Sequence, residues 1–175
     1  MPINQSDLRG KNSSYSKIVE NMQKTAASSC LKKSAFLCHS HMDEDLVKGL
    51  IVILEEAGVE LYIDWKDHSM PNVPNSTTAK IIQDKIKTCN IFLFLATANS
   101  KASRWCPWEI GYADSGGKGI YIIPTSDGSS TYGNEYLELY PNIDAGIYNL
   151  SRQPGYFLTK PNETTGYAIS NNNLI

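Results

Sequence analysis

The hydrophobic positions of this chain alternate between short continuous runs and a helical spacing. Four apolar runs predict buried strands, at residues 34–38, 59–63, 91–96 and 120–123. The segments between these runs place apolar residues three and four positions apart, which predicts amphipathic helices. Strands and helices in the order β-α-β-α-β-α-β predict a parallel sheet with helices on both faces. We therefore expect an α/β protein with a flavodoxin-like, doubly wound parallel sheet.

Residues that favour turns separate the predicted elements. Gly58 is placed to end the first helix, Ser76 or Thr77 to cap the second, and Pro124 to stop the fourth strand. Residues 64–75 contain two prolines and two asparagines, which predicts a long loop at the carboxyl end of the second strand. Loops of this length and position often act as functional lids.

The two ends of the chain follow this pattern less well. Residues 1–33 predict a loose tail and an accessory helix. Residues 34–175 predict one α/β domain whose core ends near residue 125. The last fifty residues predict a C-terminal extension, with a short helix at 136–140 and an edge strand at 155–159.

Composition and charge exclude several classes of protein. A chain of 175 residues with 41% hydrophobic and 19% charged residues is typical of one soluble globular domain. A formal net charge of -2 gives no electrostatic footprint for nucleic acid. No apolar run approaches the roughly 20 residues of a membrane helix, and the first residues show no signal-peptide pattern. We expect a cytoplasmic protein that binds neither nucleic acid nor membranes.

The cysteines and histidines predict neither a disulfide framework nor a metal site. The four cysteines are scattered and form no CxxC pair: Cys30, Cys38, Cys89 and Cys106. His39, His41 and Asp43 lie close together, but histidines two apart on a loop are common by chance. We therefore expect no bound metal.

A carboxylate between two tryptophans gives the strongest chemical signal. Residues 103–109, Ser-Arg-Trp-Cys-Pro-Trp-Glu, follow the third predicted strand and begin a helix, with Pro107 in its first turn. Open α/β sheets bind ligands where a strand ends and a helix begins. Glu109 is therefore a candidate catalytic group. The alternative is a surface glutamate that the helix dipole favours, and the segment alone leaves both open.

Three segments resemble the motifs of TIR domains. Residues 36–43, Phe-Leu-Cys-His-Ser-His-Met-Asp, are similar to the first-strand signature of that family, with Cys38 in place of the common serine. Residues 58–64 resemble its second strand, which ends in an acidic residue before the BB loop. Residues 103–109 resemble its Ser-x-Trp-Cys-x-x-Glu segment. The resemblance covers about residues 34–125 and points to bacterial members, such as the small TIR subunits of Thoeris anti-phage systems.

The resemblance implies an enzyme that cleaves NAD between nicotinamide and ribose, with Glu109 as the catalytic residue. The product would be ADP-ribose or a cyclic ADP-ribose isomer that signals to a downstream effector in anti-phage defence. NAD is then a substrate, and no cofactor is expected. Two alternatives stay open: an adaptor-like TIR module that only binds other TIR domains, and an enzyme similar to nucleoside deoxyribosyltransferases, which place a glutamate on a similar scaffold.

The resemblance also suggests which residues bind the substrate: His39, Ser40, Trp65, Lys66, Ser103, Trp105 and Tyr112. Trp65 and Trp105 would stack on its rings, and Lys66 would neutralise the diphosphate. The structural alternatives are turn formation for His39 and Ser40, core packing for Trp105 and a solvated surface charge for Lys66. Catalytic TIR domains often complete the site with the BB loop of a neighbour, so we expect self-association through residues 65–75.

Overall fold

The strands and helices carry the labels used below. The computed structural model describes residues 1–25, 33–62, 75–170 and 174. Its strands are β1 (Ile3–Asn4), β2 (Lys33–Cys38), β3 (Val59–Tyr62), β4 (Ile91–Ala96), β5 (Gly119–Ser126), β6 (Thr131–Tyr132), β7 (Asn142–Ile147), β8 (Pro154–Thr159) and β9 (Tyr167–Ala168). Its α-helices are α1 (Gln5–Gly10), α2 (Asn12–Thr25), α3 (Glu44–Glu56), α4 (Ser76–Thr88), α5 (Ala98–Ala102) and α6 (Trp105–Ser115). Short 3-10 turns cover His41–Asp43 and Asn134–Tyr136.

The strand order confirms the predicted doubly wound sheet. The order is β3-β2-β4-β5-β7-β8-β9, with β1 and β6 each paired to β5. In this order, each strand from β3 to β7 is parallel to the next. Strand β8 pairs antiparallel with β7, and β9 pairs antiparallel with β8. The chain passes from β2 to β3 on one side and then to β4 on the other, so the winding reverses between β2 and β4. A crevice opens at such a reversal, at the carboxyl ends of the strands.

The central strands are buried on both faces. Leu37 and Leu93 point to one side of the sheet and pack in a core with Leu50 of α3. Their neighbours Cys38 and Phe92 point to the other side, against α4 and α6. Because side chains alternate along a strand, two buried faces require the continuous apolar runs seen in the sequence.

The prediction of a loose N-terminal tail is wrong. β1 pairs in parallel with β5 at Thr125 and Ser126, and Ile3 and Leu8 are fully buried in the core that contains α3. Gln5 Nε2 donates a hydrogen bond of 3.0 Å to Thr125 Oγ1. This docking could not be predicted from the hydrophobic pattern, because a two-residue strand has no periodicity. The helix expected after this segment is present as α2.

Contact between α1 and α3 depends on a glycine. A β-carbon added to Gly49 of α3 would overlap the carbonyl oxygen of Leu8 and lie 2.6 Å from its carbonyl carbon. The backbones of the two helices therefore approach each other more closely than any side chain at position 49 allows. Such close approach is a common reason for glycine within a helix.

Two predicted boundaries differ from the structure. Asn75, rather than Ser76 or Thr77, caps α4, since its Oδ1 accepts hydrogen bonds from the N–H groups of Thr77 (2.8 Å) and Thr78 (3.2 Å). β5 continues through Pro124 to Ser126. Proline is tolerated there because its register partner on β4 is the last residue of that strand, and β1 and β6 pair with the residues beyond.

The C-terminal extension also departs in detail. The short helix predicted at 136–140 is not formed: a 3-10 turn covers Asn134–Tyr136, and residues 137–139 form a further turn. The strand predicted as an edge, β8, lies between β7 and β9. None of the helices in the described ranges is long and apolar enough to cross a membrane.

Candidate active site at the carboxyl edge of the sheet

A polar turn follows β2. The His39 ring is buried, and its Nδ1 lies 2.9 Å from the carbonyl oxygen of Leu37, so Nδ1 carries the proton of this hydrogen bond. Ser40 Oγ accepts a hydrogen bond of 3.4 Å from the backbone N–H of Met42 and caps the turn His41–Asp43. Both candidates from the first-strand motif therefore lie at the carboxyl edge of the sheet.

Helix α6 begins at the Trp-Cys-Pro-Trp-Glu motif. Ser103 Oγ accepts hydrogen bonds from the N–H groups of Trp105 (3.2 Å) and Cys106 (3.3 Å). Pro107 is the third residue of the helix, where a missing N–H removes no intrahelical bond. Ser103 thus fixes the direction in which α6 leaves the edge of the sheet.

Glu109 is buried in the second turn of α6. Its exposed fraction is 7%, and it shares the core-facing side of the helix with Cys106, Ile110 and Ala113. The alternative of a solvated surface glutamate is therefore wrong. A buried carboxylate is costly unless its surroundings compensate, so its presence beside a crevice marks a candidate functional group.

Glu109 faces the last residue of β2. Burial raises the pKa of the Cys38 thiol well above its ordinary value, and hydrogen bonding to Cys106 and the nearby Glu109 side chain raise it further. Cys38 Sγ lies 4.0 Å from the carbonyl oxygen of Cys106. The glutamate is therefore held where β2 ends, next to the reversal of strand order.

Three aromatic rings run along the flank of α6. The Trp105 and Trp108 ring centroids are 5.4 Å apart and nearly perpendicular, and the Trp108 and Tyr112 rings stack at 5.9 Å. The Lys87 ammonium lies 5.8 Å from the centroid of Tyr112. Lys87 is in the last turn of α4, just before β4 begins, so Tyr112 lies toward the amino edge of the sheet. Seven residues of helix separate it from Trp105, a rise of about 10 Å.

A buried hydrogen-bonded cluster lies at the reversal of strand order, and the sequence analysis missed it. Asp43 is 3% exposed. Its Oδ2 accepts a hydrogen bond of 2.6 Å from Thr97 Oγ1, and its Oδ1 accepts one of 2.7 Å from Asn99 Nδ2. Thr97 and Asn99 follow β4 as Asp43 follows β2. Because parallel strands end at the same edge of a sheet, the proximity of these residues was predictable from the order of the strands.

The predicted site residues fall into three groups. Glu109 and four of the substrate-binding candidates share the carboxyl edge: His39, Ser40, Ser103 and Trp105. Tyr112 lies apart from them, beside α4. Trp65 and Lys66, with the loop at 65–75, lie outside the described residues.

A small cavity lies near the site, among the described residues. It has a volume of about 50 Å³ and is lined in part by Thr97, Lys101, Pro107 and Tyr136. A space of this size holds about one or two waters and no nucleotide ring. A groove of about 700 Å³ lies along β7 and β8, and none of the predicted site residues in the described ranges lines it.

Comparison with known proteins identifies similar chains. A family model described as TIR domain matches residues 35–144. The "Probable 3' cyclic ADP-D-ribose synthase ThsB'" of Bacillus cereus (strain MSX-D12) is 35% identical over 123 residues, which are 67% of this chain and 64% of the relative. The "Putative cyclic ADP-D-ribose synthase TIR2" of Cytobacillus dafuensis is 26% identical over 95 residues, 53% of this chain and 25% of the relative. The chain thus spans less than two thirds of either relative.

One solved structure is also similar in sequence. The CMP N-glycosidase BcmB of Clostridium botulinum is 29% identical to this chain, and the match covers 51% of this chain and 67% of the BcmB chain. The TM-score of this match is 0.39.

Proposed function

The chain belongs to the TIR domain family, and on that premise we propose that it cleaves NAD between nicotinamide and ribose, with Glu109 as the catalytic residue. The products are nicotinamide and either a cyclic ADP-ribose isomer or ADP-ribose, made in the bacterial cytoplasm as part of anti-phage defence. The burial of Glu109 at the carboxyl edge of the sheet carries this proposal. The names of the two relatives, both cyclic ADP-D-ribose synthases, support the choice of reaction.

The chemistry requires few groups. Breaking the bond from ribose C1′ to the nicotinamide nitrogen leaves positive charge on the ribose ring, as in glycoside hydrolysis. Nicotinamide leaves as a neutral molecule from a cationic ring, so no general acid has to protonate it. One carboxylate beside the ribose stabilises the oxocarbenium-like transition state, and it acts more strongly where water is excluded.

The nucleophile decides the product. Attack of water at C1′ with loss of a proton gives ADP-ribose. Attack of another hydroxyl of the same molecule, also with loss of a proton, gives a cyclic product lighter by one water. The buried position of Glu109 limits access of water and favours the cyclic product.

We propose supporting roles for the neighbouring residues. Trp105 stacks on a ring of the substrate at the start of α6, and the turn at His39 and Ser40 contacts the ribose or diphosphate. Trp65 and Lys66 contribute from the 65–75 loop, which also reaches a second copy and completes its site. On this proposal, turnover per molecule rises with protein concentration.

A matched pair of variants tests the role of Glu109. Purified protein at high concentration is incubated with NAD, and nicotinamide and the nucleotide products are separated by chromatography and identified by their mass. We expect Glu109→Gln to lose about 100-fold or more in turnover, a typical effect of removing one charge-stabilising group. Glu138→Gln makes the same change at an exposed position and should match the wild type.

The outcomes separate the hypotheses. A folded Glu109→Gln variant with full turnover would remove Glu109 from the mechanism. Absence of turnover in the concentrated wild type would favour a module that acts by binding other TIR domains. Release of a free base from deoxynucleosides, with NAD untouched, would favour the deoxyribosyltransferase-like alternative.

A further inference from the structure

Asp43 uses its side chain in an unusual way for its position. It is the N-cap residue of α3, where an aspartate usually accepts a hydrogen bond from the first turn of its own helix. Its side chain makes no capping hydrogen bond here. Both carboxylate oxygens instead accept hydrogen bonds from Thr97 and Asn99, more than fifty residues further along the chain. The carboxylate therefore joins the turn after β2 to the segment after β4.

The segment after β4 leads to the helix that holds Glu109. Thr97 caps α5: its Oγ1 accepts a hydrogen bond of 3.0 Å from Ser100 N–H while donating to Asp43. The N–H of Ser103 then donates to the carbonyl oxygen of Ser100 at 3.1 Å. Ser103 Oγ in turn accepts hydrogen bonds from the N–H groups of Trp105 and Cys106 in the first turn of α6. A continuous series of hydrogen bonds thus runs from Asp43 to the first turn of α6, one turn before Glu109.

The burial of this series makes it stiff. Asp43, Thr97 and Ser100 are each at most 3% exposed. Buried polar groups that lose a partner pay the full cost of desolvation, about 1–3 kcal/mol, so alternative arrangements of these loops are disfavoured.

We propose that Asp43 is a positioning residue for the cleavage of NAD. It holds the segment after β4, and through it α6, at the distance from β2 that places the Glu109 carboxylate beside the ribose. This inference rests on the proposed function. A displacement of about 1 Å at a reacting group can lower the rate about 100-fold, so a residue that sets this distance affects kcat more than substrate affinity.

Variants of the cluster test the proposal. Asp43→Asn replaces one acceptor oxygen by a donor, and Thr97→Val removes the hydroxyl donor without changing the size of the side chain. Thr97→Ser keeps the hydroxyl donor and should therefore keep the activity. Asp45→Asn is the matched control, because Asp45 lies on the same helix end but pairs with Arg9 at the surface.

The expected result is a loss in kcat at nearly constant KM. Turnover is expressed per folded molecule, with the folded fraction taken from urea denaturation of each variant. Asp43→Asn and Thr97→Val should each lower kcat about tenfold or more and change KM less than about threefold. The losses of the two single variants should not multiply in the double variant, because both remove the hydrogen bond between Asp43 and Thr97. Thr97→Ser and Asp45→Asn should stay within about threefold of the wild type in kcat.

Several results would overturn the inference. Full turnover of Asp43→Asn, with Glu109→Gln inactive in the same assay, would remove Asp43 and leave the proposed function intact. A loss that disappears once turnover is corrected for the folded fraction would assign Asp43 to stability alone. A rise in KM at unchanged kcat would assign it to substrate binding. No turnover in the wild type would overturn the proposed function and this inference with it.

Discussion

Replacement of Gly49 by alanine tests whether the N-terminal segment is part of the core. The added β-carbon would overlap the backbone carbonyl of Leu8. Since the obstacle is backbone, no change of rotamer relieves the overlap, and α1 must move away from α3. This movement would pull on Ile3 and Leu8, both fully buried, and on the hydrogen bond from Gln5 to Thr125.

The contacts of α1 set the size of the effect. Full burial of an aliphatic side chain contributes about 1.5–3 kcal/mol, and complete undocking would expose the side chains of Ile3 and Leu8. Loss of the buried hydrogen bond of Gln5 adds about 1 kcal/mol. Complete undocking would therefore lower the free energy of unfolding by up to about 7 kcal/mol, and a partial shift of α1 by about 2 kcal/mol or more.

Urea denaturation of three proteins measures this effect. Gly111 of α6 supplies the control, because a β-carbon there would meet no atom within 4 Å. Alanine in an open helical position stabilises a protein by about 0.5–1 kcal/mol relative to glycine. We therefore expect changes of opposite sign for Gly49→Ala and Gly111→Ala. Equal or greater stability of Gly49→Ala than of the wild type would refute the docking of α1 on α3.

Three further predictions concern a turn, a thiol and a carboxyl group. Gly133 has a φ of 92°, and a β-carbon there would lie 2.7 Å from the side chain of Ala96. Gly128 has a φ of 93°, but a β-carbon there would meet no atom within 4 Å. Gly133→Ala should therefore lower the midpoint of thermal unfolding by more than Gly128→Ala. Because burial raises the pKa of Cys38, this thiol stays protonated at pH 8, and mass spectrometry should find it alkylated by iodoacetamide only after unfolding. The hydrogen bond from the Tyr132 hydroxyl lowers the pKa of Asp127. The pair therefore stabilises the native turn above the ordinary carboxyl pKa, and this stabilisation is lost as the pH falls through the lowered pKa of Asp127. Tyr132→Phe should raise the Asp127 pKa in an NMR titration, and an unchanged pKa would contradict the assignment.

The sequence predicted the central sheet well because its strands are buried on both faces. Continuous apolar runs such as 91–96 then mark the strands directly, and the helices between them keep a clear apolar spacing. The two-residue strands β1, β6 and β9 could not be predicted in the same way. Their formation depends on partners in β5 and β8, and two residues are too few to show a period. Asn75, Ser76 and Thr77 all suit an N-cap, so only the backbone of the folded chain distinguishes them.

The candidate site was predictable where it follows from the order of the elements. The motif that contains Glu109 follows β4 and the short helix α5 and opens α6, which places it at the carboxyl edge whatever the details of packing. Its burial beside Cys38 depends on the rotation of α6 about its axis, which a motif does not specify. Tyr112 lies closer to the amino edge because the rise of α6 carries it away from Trp105 and toward Lys87. The contacts of Asp43 join residues from two loops and have no signal within either loop.

The pairing of β1 with β5 also governs the order in which this chain can fold. Ile3 precedes its partner Thr125 by 122 positions along the chain. At synthesis rates of about 5–20 residues per second, the partner appears roughly 6–24 s after Ile3. During this interval Ile3 and Leu8 have no complete core to enter, and their apolar side chains stay exposed to water or to other nascent chains. The N-terminal segment is therefore synthesised well before the strand that it pairs with, and Ile3 has no native partner until β5 has been made.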